Sequence, residues 1–594
     1  MFVLVRPAFW IMALAVLVLA RPLAAQSGEV RVSPPNEAVA ERLRGEALVL
    51  GADETASAGD IIATARGDYE RLIAALYDEG FFGARVSIRV AGREASTLSA
   101  FRPPPATGPV IIDVDLGPRF TYGRAEIAPL APDASQVEGF APGEPASTGA
   151  IRAAARGAVE DWRGASHAKA RITGQEIVAR HGPGELDVVL RVSPGPALTF
   201  GDLVIPSDTP VRAERVRKIA GLPTGAPFTP EAVETARARL VSTGAFSSVV
   251  AREAQTPGPA NTLDIALELE AAKPRRLGFG AEIDSTDGLS LEAFWLHRNY
   301  FGGAERLRFD ASVSGIAGSS GGVDYALGML LRVPGFRRAD DTLEFSAALE
   351  RLDEPNFEER LFEVGVRRAR QVSETLTVGA QIGFRFSEST DSFGTREFSH
   401  VILSADAVRD LRDDPLNPRE GVYGALELKP FIGVGDSQSG IRATGDFRAY
   451  RALGARSVIA GRALFGSVMG ADLVDIPPDF LFYSGGGGSV RGQAFQSLGV
   501  PNGSSTTGGR SFGGLSLELR RDITETLSVV GFVDYGYVAE GASFERGRDH
   551  AGAGIGVRYN TALGPLRVDL GVPLGDPSDG TTRYGLYIGL GQSF

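Results

Sequence analysis

Residues able to do chemistry are few and scattered in this chain. The five histidines, His167, His181, His297, His400 and His550, stand in no metal-ligand spacing with carboxylates. There is no cysteine, which removes disulfides, thiolate catalysis and cysteine metal sites together. The run Gly485-Gly486-Gly487-Gly488-Ser489 has the composition of a phosphate loop, but no Gly-Lys-Ser/Thr follows and its surroundings read as β, so it is taken as a flexible approach to a loop. The expectation is no enzyme: no catalytic residue, no cofactor site and no metal site. Interest falls instead on Val490-Arg491-Gly492-Gln493. If strands enclose Arg491, it needs anionic partners, because an unpaired guanidinium with little solvent is costly and carboxylates accept its fork of donors. An ordinary exposed loop charge is the competing reading.

The elements that must position Arg491 are strands. From Arg275 onward, amphipathic stretches alternate with clusters of Gly, Asp, Asn and Ser, and helical periodicity is almost absent. In Leu566-Arg567-Val568-Asp569-Leu570-Gly571-Val572 the apolar positions suit lipid while Arg567 and Asp569 suit a polar lumen. At the end of the chain, Tyr584, Leu586, Ile588, Leu590 and Phe594 fall on one face and Gly585, Tyr587, Gly589, Gly591 and Ser593 on the other. Roughly 320 residues hold about sixteen strands with their turns, and fourteen or eighteen also fit. The 75 glycines, the mean hydropathy of −0.01 and the lack of any long internal apolar run exclude a helical membrane protein but not a barrel. A net charge of −12 gives no general attraction to nucleic acid, and no such partner is expected.

The first half switches between helical and strand periods. Residues 1–25 carry Arg6, an apolar run from Phe9 to Ala20 and small residues Ala24-Ala25, which reads as a signal peptide, with a membrane anchor as the alternative. Gly117-Pro118-Arg119-Phe120-Thr121-Tyr122-Gly123 and Gly195-Pro196-Ala197-Leu198-Thr199-Phe200-Gly201 almost repeat, 78 residues apart, and the next period ends at Lys273-Pro274. Tyr69, Leu72, Ile73 and Leu76 mark one helix face before Gly80-Phe81-Phe82 breaks into the strand Val86, Ile88, Val90. Thr229-Pro230-Glu231 opens another helix with Val233, Ala236 and Leu240 on its apolar side, ahead of Gly244-Ala245-Phe246. Each unit therefore reads strand, helix, helix, strand, strand, with helices on one face of a three-stranded sheet. The boundaries are 28–117, 118–195 and 196–273, followed by a barrel over 274–594. An unpaired sheet edge in such a unit can accept another extended chain, although the units also suffice as spacers.

These units resemble the polypeptide-transport-associated (POTRA) domains that precede the barrel in the BamA/TamA outer-membrane insertase superfamily, where Gly-aromatic after the second helix and Gly-Pro between units recur. Trp162-Arg163-Gly164-Ala165 lacks the aromatic in the second unit. Val490-Arg491-Gly492-Gln493 is similar to the superfamily's Val-Arg-Gly-aromatic tip of a long inward-folded loop, with Gln493 in place of the aromatic, and Pro477 to Gly486, Ser516 to Arg520 and Phe532-Val533-Asp534-Tyr535-Gly536 follow the superfamily's order. Trp295 to Glu305 and Asp410 to Gly421 look like its turns, and Asp413, Pro418 and Gly421 have a sufficient local account as turn formers. The final phenylalanine resembles the signal by which such barrels are themselves assembled, with Gln592 where an apolar residue is usual.

The resemblance implies a transmembrane β-barrel preceded by three POTRA domains in the periplasm, and three units rather than five place the chain nearest the TamA branch. It implies that Arg491 latches the loop to Glu518 and Asp534, with Phe532 beside them and with Gly492 and Gly536 permitting close approach. It also implies a weak seam between the first strand, with Leu277, Gly278 and Gly280, and the last, with Gly585, Gly589, Gly591 and Phe594. The function so implied is to fold and insert outer-membrane proteins such as autotransporters. The partners would be unfolded clients, the outer-membrane bilayer and a TamB-like inner-membrane-anchored protein whose link to lipid transport makes phospholipid traffic a second role. The rivals are a two-partner secretion transporter, which usually has two POTRA units and an N-terminal plug helix, and a passive porin.

Overall fold

The helices begin where a short polar side chain can satisfy free backbone donors. Asn36 caps α1 (Glu37–Glu46), Ser57 caps α2 (Ala58–Asp78) and Ser147 caps α3 (Thr148–Gly164), each accepting from a backbone N–H in the first turn. Helices α4 (Ala213–Ala220) and α5 (Pro230–Ser242) follow. The computed structural model describes residues 28–52, 56–103, 108–134, 137–284, 288–318, 321–561, 564–575 and 584–594. The signal-peptide expectation lies outside the described residues. Among them, no helix is long and apolar enough to cross a membrane.

The N-terminal half forms three small sheets. In the first, β1 (Gly28–Ser33) runs parallel to β4 (Val110–Asp115), which pairs antiparallel with β2 (Arg85–Val90), and the short β3 (Arg93–Glu94) adds an edge. In the second, β7 (Glu185–Ser193) lies between parallel β5 (Thr121–Ala128) and antiparallel β6 (Arg171–Arg180). The third has the order β8 (Thr199–Val204), β10 (Thr262–Ala271), β9 (Phe246–Glu253). The core face of α2 is wider than the periodicity suggests: Ile61, Ile62, Ala65, Leu72, Ala75 and Leu76 are buried, and so is Asp68, which accepts the backbone N–H of Leu48 and Val49.

The second unit departs from the expected two helices, because only α3 is helical between its strands among the described residues. Pro129, Pro132, Pro142 and Pro145 crowd the stretch where the other helix would stand, and each removes a donor and clashes with the preceding turn. Tyr122 fills the gap instead, its hydroxyl donating to the Ser147 carbonyl and accepting from the Ser147 N–H.

The chain divides into two compact bodies, the first two sheets in one and the third sheet with the barrel in the other. Within the first body, Phe81 enters the first core while Phe82 stacks on Tyr77 and meets Phe120 of the second. Asp78, at the end of α2, ion-pairs with Arg42 and accepts from Thr148 Oγ1 and the Gly149 N–H at the start of α3. Burial pushes its carboxyl up, but the hydrogen bonds from Arg42, Thr148 and Gly149 outweigh this and hold it below the usual carboxylate range. A carboxyl lowered by folding stabilises the fold fully above its ordinary value, and that contribution fades as pH falls through the lowered one. Hydrogen exchange, corrected for intrinsic rate, is therefore expected to show Gly149 losing protection only at pH below about 4. In Asp78→Asn the same protection is expected to be weak at every pH; unchanged protection in both tests would remove this contact as the junction's fastening.

The barrel is a sixteen-stranded sheet in which every hydrogen-bonded neighbour is antiparallel. It begins with β11 (Arg275–Asp284), β12 (Gly288–His297), β13 (Arg306–Ile316), β14 (Asp324–Pro334), β15 (Asp341–Glu354) and β16 (Phe357–Ser373). It continues through β17 (Leu376–Asp391), β18 (Gly394–Asp410), β19 (Gly421–Gly433), β20 (Gly440–Ala452) and β21 (Ser457–Met469). After a long loop holding the hairpin β22 (Val500–Asn502) and β23 (Ser505–Thr507), it closes with β24 (Ser511–Asp522), β25 (Leu527–Ala539), β26 (Gly547–Thr561), β27 (Gly564–Leu574) and β28 (Gly585–Leu590). On β24, Leu515, Leu517 and Leu519 are each more than 50% exposed while Glu518 is 0% exposed, so apolar side chains face out and charges face in.

The third sheet's helix α4 is fastened to the barrel's near end. Arg212 donates its backbone N–H to Gly302 O and its guanidinium to Phe301 O in the turn after β12, where Asn299 donates to Pro210 O. Arg215 and Lys218 donate to Pro334 and Phe336 carbonyls at the turn after β14. The stretch Trp295 to Glu305 is thus a docking turn. At the turn after β18, Asp413 Oδ1 accepts the N–H groups of Asp414, Arg419 and Glu420.

Candidate functional site: an arginine latch inside the barrel

The loop between β21 and β24 folds into the lumen. Its Ile476, Phe480, Leu481, Phe482, Leu498 and Val500 bury against inward-facing Ile402, Phe431, Val468, Phe512 and Val538 of the wall. The tip carries Arg491, 2% exposed. Its Nε and Nη2 donate to the two oxygens of Asp534 on β25 at 2.7 and 2.9 Å, and its own N–H adds a third bond to that carboxylate at 3.1 Å. Nη1 donates to Glu518 on β24 at 2.7 Å and to Asp569 on β27 at 3.3 Å. The guanidinium lies over the Phe532 ring, 3.6 Å from its centroid.

Two further arginines complete the cluster. Arg520 donates to Glu518 at 2.9 Å and Arg558 to Asp569 at 2.5 Å, so three guanidiniums face three carboxylates and the buried charge balances. Resemblance pointed to Glu518 and Asp534 only. Asp569 stood in the sequence as a lumen-facing residue without a partner, Arg520 only as the end of the Ser516 to Arg520 motif with no role given to it, and nothing there marked Arg558. Their signal is the alternation of β24, β26 and β27, which becomes readable only once the strands' registers are known.

Close approach explains the glycines. Gly492 has φ +94°, and a Cβ there would lie 2.5 Å from the Val572 carbonyl carbon. A Cβ on Gly552 would run into Arg491 O, and one on Gly536 into Ser484 Oγ and Val490. Gly552→Ala is expected to push the tip off the wall and lower the temperature of the folded-to-unfolded mobility shift on gels, whereas Gly531→Ala, where a Cβ meets open space, should leave it unchanged; equal shifts would refute the close-approach account. Val490 is fully buried, and Gln493, standing where an aromatic was expected, donates its amide to Ala551 O at 2.8 Å.

The tip also reaches the last strand. Gly492 N–H donates to the Tyr587 hydroxyl on β28 at 3.0 Å. Strands β11 and β28 stand at the two ends of the sheet order and lie side by side, and no ladder pairs them among the described residues. Leu277 on β11 faces outward, 66% exposed. The glycines beside it have local uses: a Cβ on Gly278 would collide with the Phe294 ring, one on Gly585 with Tyr587, and one on Gly589 would lie 3.0 Å from Arg567, while Gly280 has room.

Phe594 corrects the two-face reading of the chain's end. The strand stops at Leu590, Gly591 takes φ +90°, and the tail turns inward. Phe594 is buried against Tyr450 and Ala460, and its carbonyl accepts from Arg520, so it shares neither the outer face of Leu586 and Ile588 nor the edge of β28. Gln592 accepts from Arg558 and donates to Asn417, a bridge that an apolar residue could not make.

Fold and site together define a transmembrane β-barrel with small α+β units of POTRA type on its N-terminal side. Residues 299–594 match the Omp85 superfamily domain. Over 197 residues it is 27% identical to the outer membrane protein assembly factor BamA of Nitratidesulfovibrio vulgaris, a match covering 31% of this chain and 24% of that protein. The matched stretch thus spans about a quarter of the curated relative's length. Among solved structures, BamA from Haemophilus ducreyi lacking POTRA domains 1–3 aligns with a TM-score of 0.61 at 16% identity, over 79% of this chain and 99% of that one. CdiB from Acinetobacter baumannii aligns with a TM-score of 0.50 at 14% identity, over 80% and 90%. At these identities the likeness is one of fold.

Proposed function

We propose that this protein is an outer-membrane assembly factor of the TamA type. It sits in the bacterial outer membrane with its POTRA-like units in the periplasm, and it helps fold and insert β-barrel clients such as autotransporters. The observation that carries this reading is the contact chain from Arg491 through Gly492 to Tyr587, which ties the inward loop to one of the two end strands. A strand at the end of the sheet order offers an edge to which a client strand can add by backbone hydrogen bonding. The latch holds the lumen side of that edge in one conformation, and no chemical energy source is needed. On the periplasmic side, the unpaired sheet edges suit a TamB-like inner-membrane-anchored partner, through which phospholipid traffic is a second role.

The test is reconstitution of the full chain in liposomes with an unfolded autotransporter barrel, reading protease-resistant client against time, together with crosslinking and pull-down from native membranes. Client insertion faster than in empty liposomes, and capture of a TamB-like protein, are expected. Capture of one dedicated secreted passenger, with no gain in insertion, would instead establish a two-partner secretion transporter.

A further inference from the structure

A patch of like charge lines the lumen at the barrel end to which α4 is fastened. Arg306 opens β13 with Arg332 directly opposite it on β14, a like-charged cross-strand pair that costs stability. Arg276 on β11, Arg298 in the turn after β12 and Arg308 on β13 add to the repulsion that Arg306 feels. The nearby carboxylates are committed elsewhere or to single partners. Asp310 pairs with Arg308 at 2.5 Å, Glu344 divides between Arg332 at 2.8 Å and Arg367 at 3.0 Å, Glu292 faces Arg308, and Glu305 is turned to Arg212 and the Gly303 N–H. Arg276 and Arg306 make no ion pair among the described residues. Arg276 has only the ring of Phe294, 5.7 Å away, which it shares with Arg308 at 4.3 Å.

Leu277, the residue after Arg276, points the other way. It begins an outward row that continues across the strands through Trp295 and Phe309, and Ala293 and Ala311 beside that row leave a sunken apolar floor. Trp295, His297 and Tyr300 lie ring against ring at the rim, the level at which aromatic girdles meet lipid headgroups. Strand β11 separates the basic patch from this groove, and no ladder joins it to β28 among the described residues. A molecule can therefore touch both faces around β11 without breaking a sheet hydrogen bond. An anionic head with an apolar tail complements both surfaces, whereas an acidic peptide complements only the inner one.

We propose that an anionic phospholipid seats astride β11, with its phosphate among Arg276, Arg306 and Arg308 inside the lumen and an acyl chain in the outer groove over Ala293 and Ala311. The phosphate oxygens supply the acceptors that Arg276 and Arg306 lack and relieve the repulsion between Arg306 and Arg332. This seat rests on the reading that phospholipid traffic is a second role of the protein, and it names the lipid and its place. The two fail separately: lipid bound here with no TamB-like protein captured from native membranes would sink the traffic reading and keep the seat.

The test is native mass spectrometry of the purified full-length protein in neutral detergent, offered equal amounts of phosphatidylglycerol and phosphatidylcholine of the same chain length. Preferential retention of phosphatidylglycerol is expected. Arg276→Gln combined with Arg306→Gln, which leaves the latch untouched, should weaken that binding by at least about tenfold, because each change removes charge-assisted bonds to the phosphate. Arg451→Gln, at an arginine exposed at the same end of the barrel on β20, should change it little. Ala311→Trp, which fills the groove, should also weaken it, and the gel mobility shift reports the folded barrel in every variant. Glycerol 3-phosphate, a head without chains, should bind far more weakly than the lipid. Equal retention of the two lipids, an equal loss in Arg451→Gln, glycerol 3-phosphate held as tightly as the lipid, or displacement of the lipid by hexaglutamate would overturn the proposal.

Discussion

Replacing Arg491 with alanine is expected to cost about 3–5 kcal/mol of barrel stability and to abolish client assembly. The reason lies in Asp534. Glu518 keeps Arg520 and Asp569 keeps Arg558, but among the described residues every side-chain donor to Asp534 belongs to Arg491, and Asp534 is 1% exposed. The truncation thus leaves a carboxylate in a dry site with only a backbone N–H, and three negative groups against two positive ones. Arg491→Lys should rescue little, because a single ammonium cannot offer the fork that serves Asp534 and Glu518 at once. Adding Asp534→Asn to Arg491→Ala should recover part of the loss, since the stranded charge is gone. Gel mobility shifts and complementation read all three variants. A folded, fully active Arg491→Ala protein would reduce the arginine to an ordinary loop charge.

Joining β11 to β28 through one engineered cysteine in each is expected to stop client insertion under oxidising conditions and to restore it on reduction. The two strands are neighbours at the ends of the sheet order, and within the sixteen-stranded sheet theirs is the one place, among the described residues, where a client could add without breaking an existing ladder. Insertion that proceeds unchanged in the locked protein would rule out the seam as the working edge, and the glycines of β11 and β28 would then keep only their packing roles beside Phe294, Tyr587 and Arg567.

How much of this could be read from residues alone depended on the range of the interaction. Period-two alternation is local, so a strand such as Leu566–Val572 declares its two faces, and chain length then limits the strand number, which the structure sets at sixteen. Helix α2 was legible in the same way, although the face extends to Ile61 and includes buried Asp68, whose partners come from outside the helix. The second unit was misread because the shared Gly-Pro period outweighed four prolines that forbid one of its helices. Phe594 was misread because alternation was carried past Gly591, where a left-handed φ ends the strand. The latch is different in kind. Arg491 stood out by resemblance, but its meeting with Asp569 spans 78 residues and that of Arg385 with Asp479 spans 94, and such pairs follow from register and loop path, which no local pattern encodes.

The fastening of α4 to the barrel has a mechanical consequence. Its hydrogen bonds all fall on the turns after β12 and β14, among the described residues, and so on the flank next to β11 rather than next to β28. A pull on the third α+β unit would then act as a lever on one flank, with torque delivered to the side bearing the first strand while the last strand, anchored inward through Tyr587, stays behind.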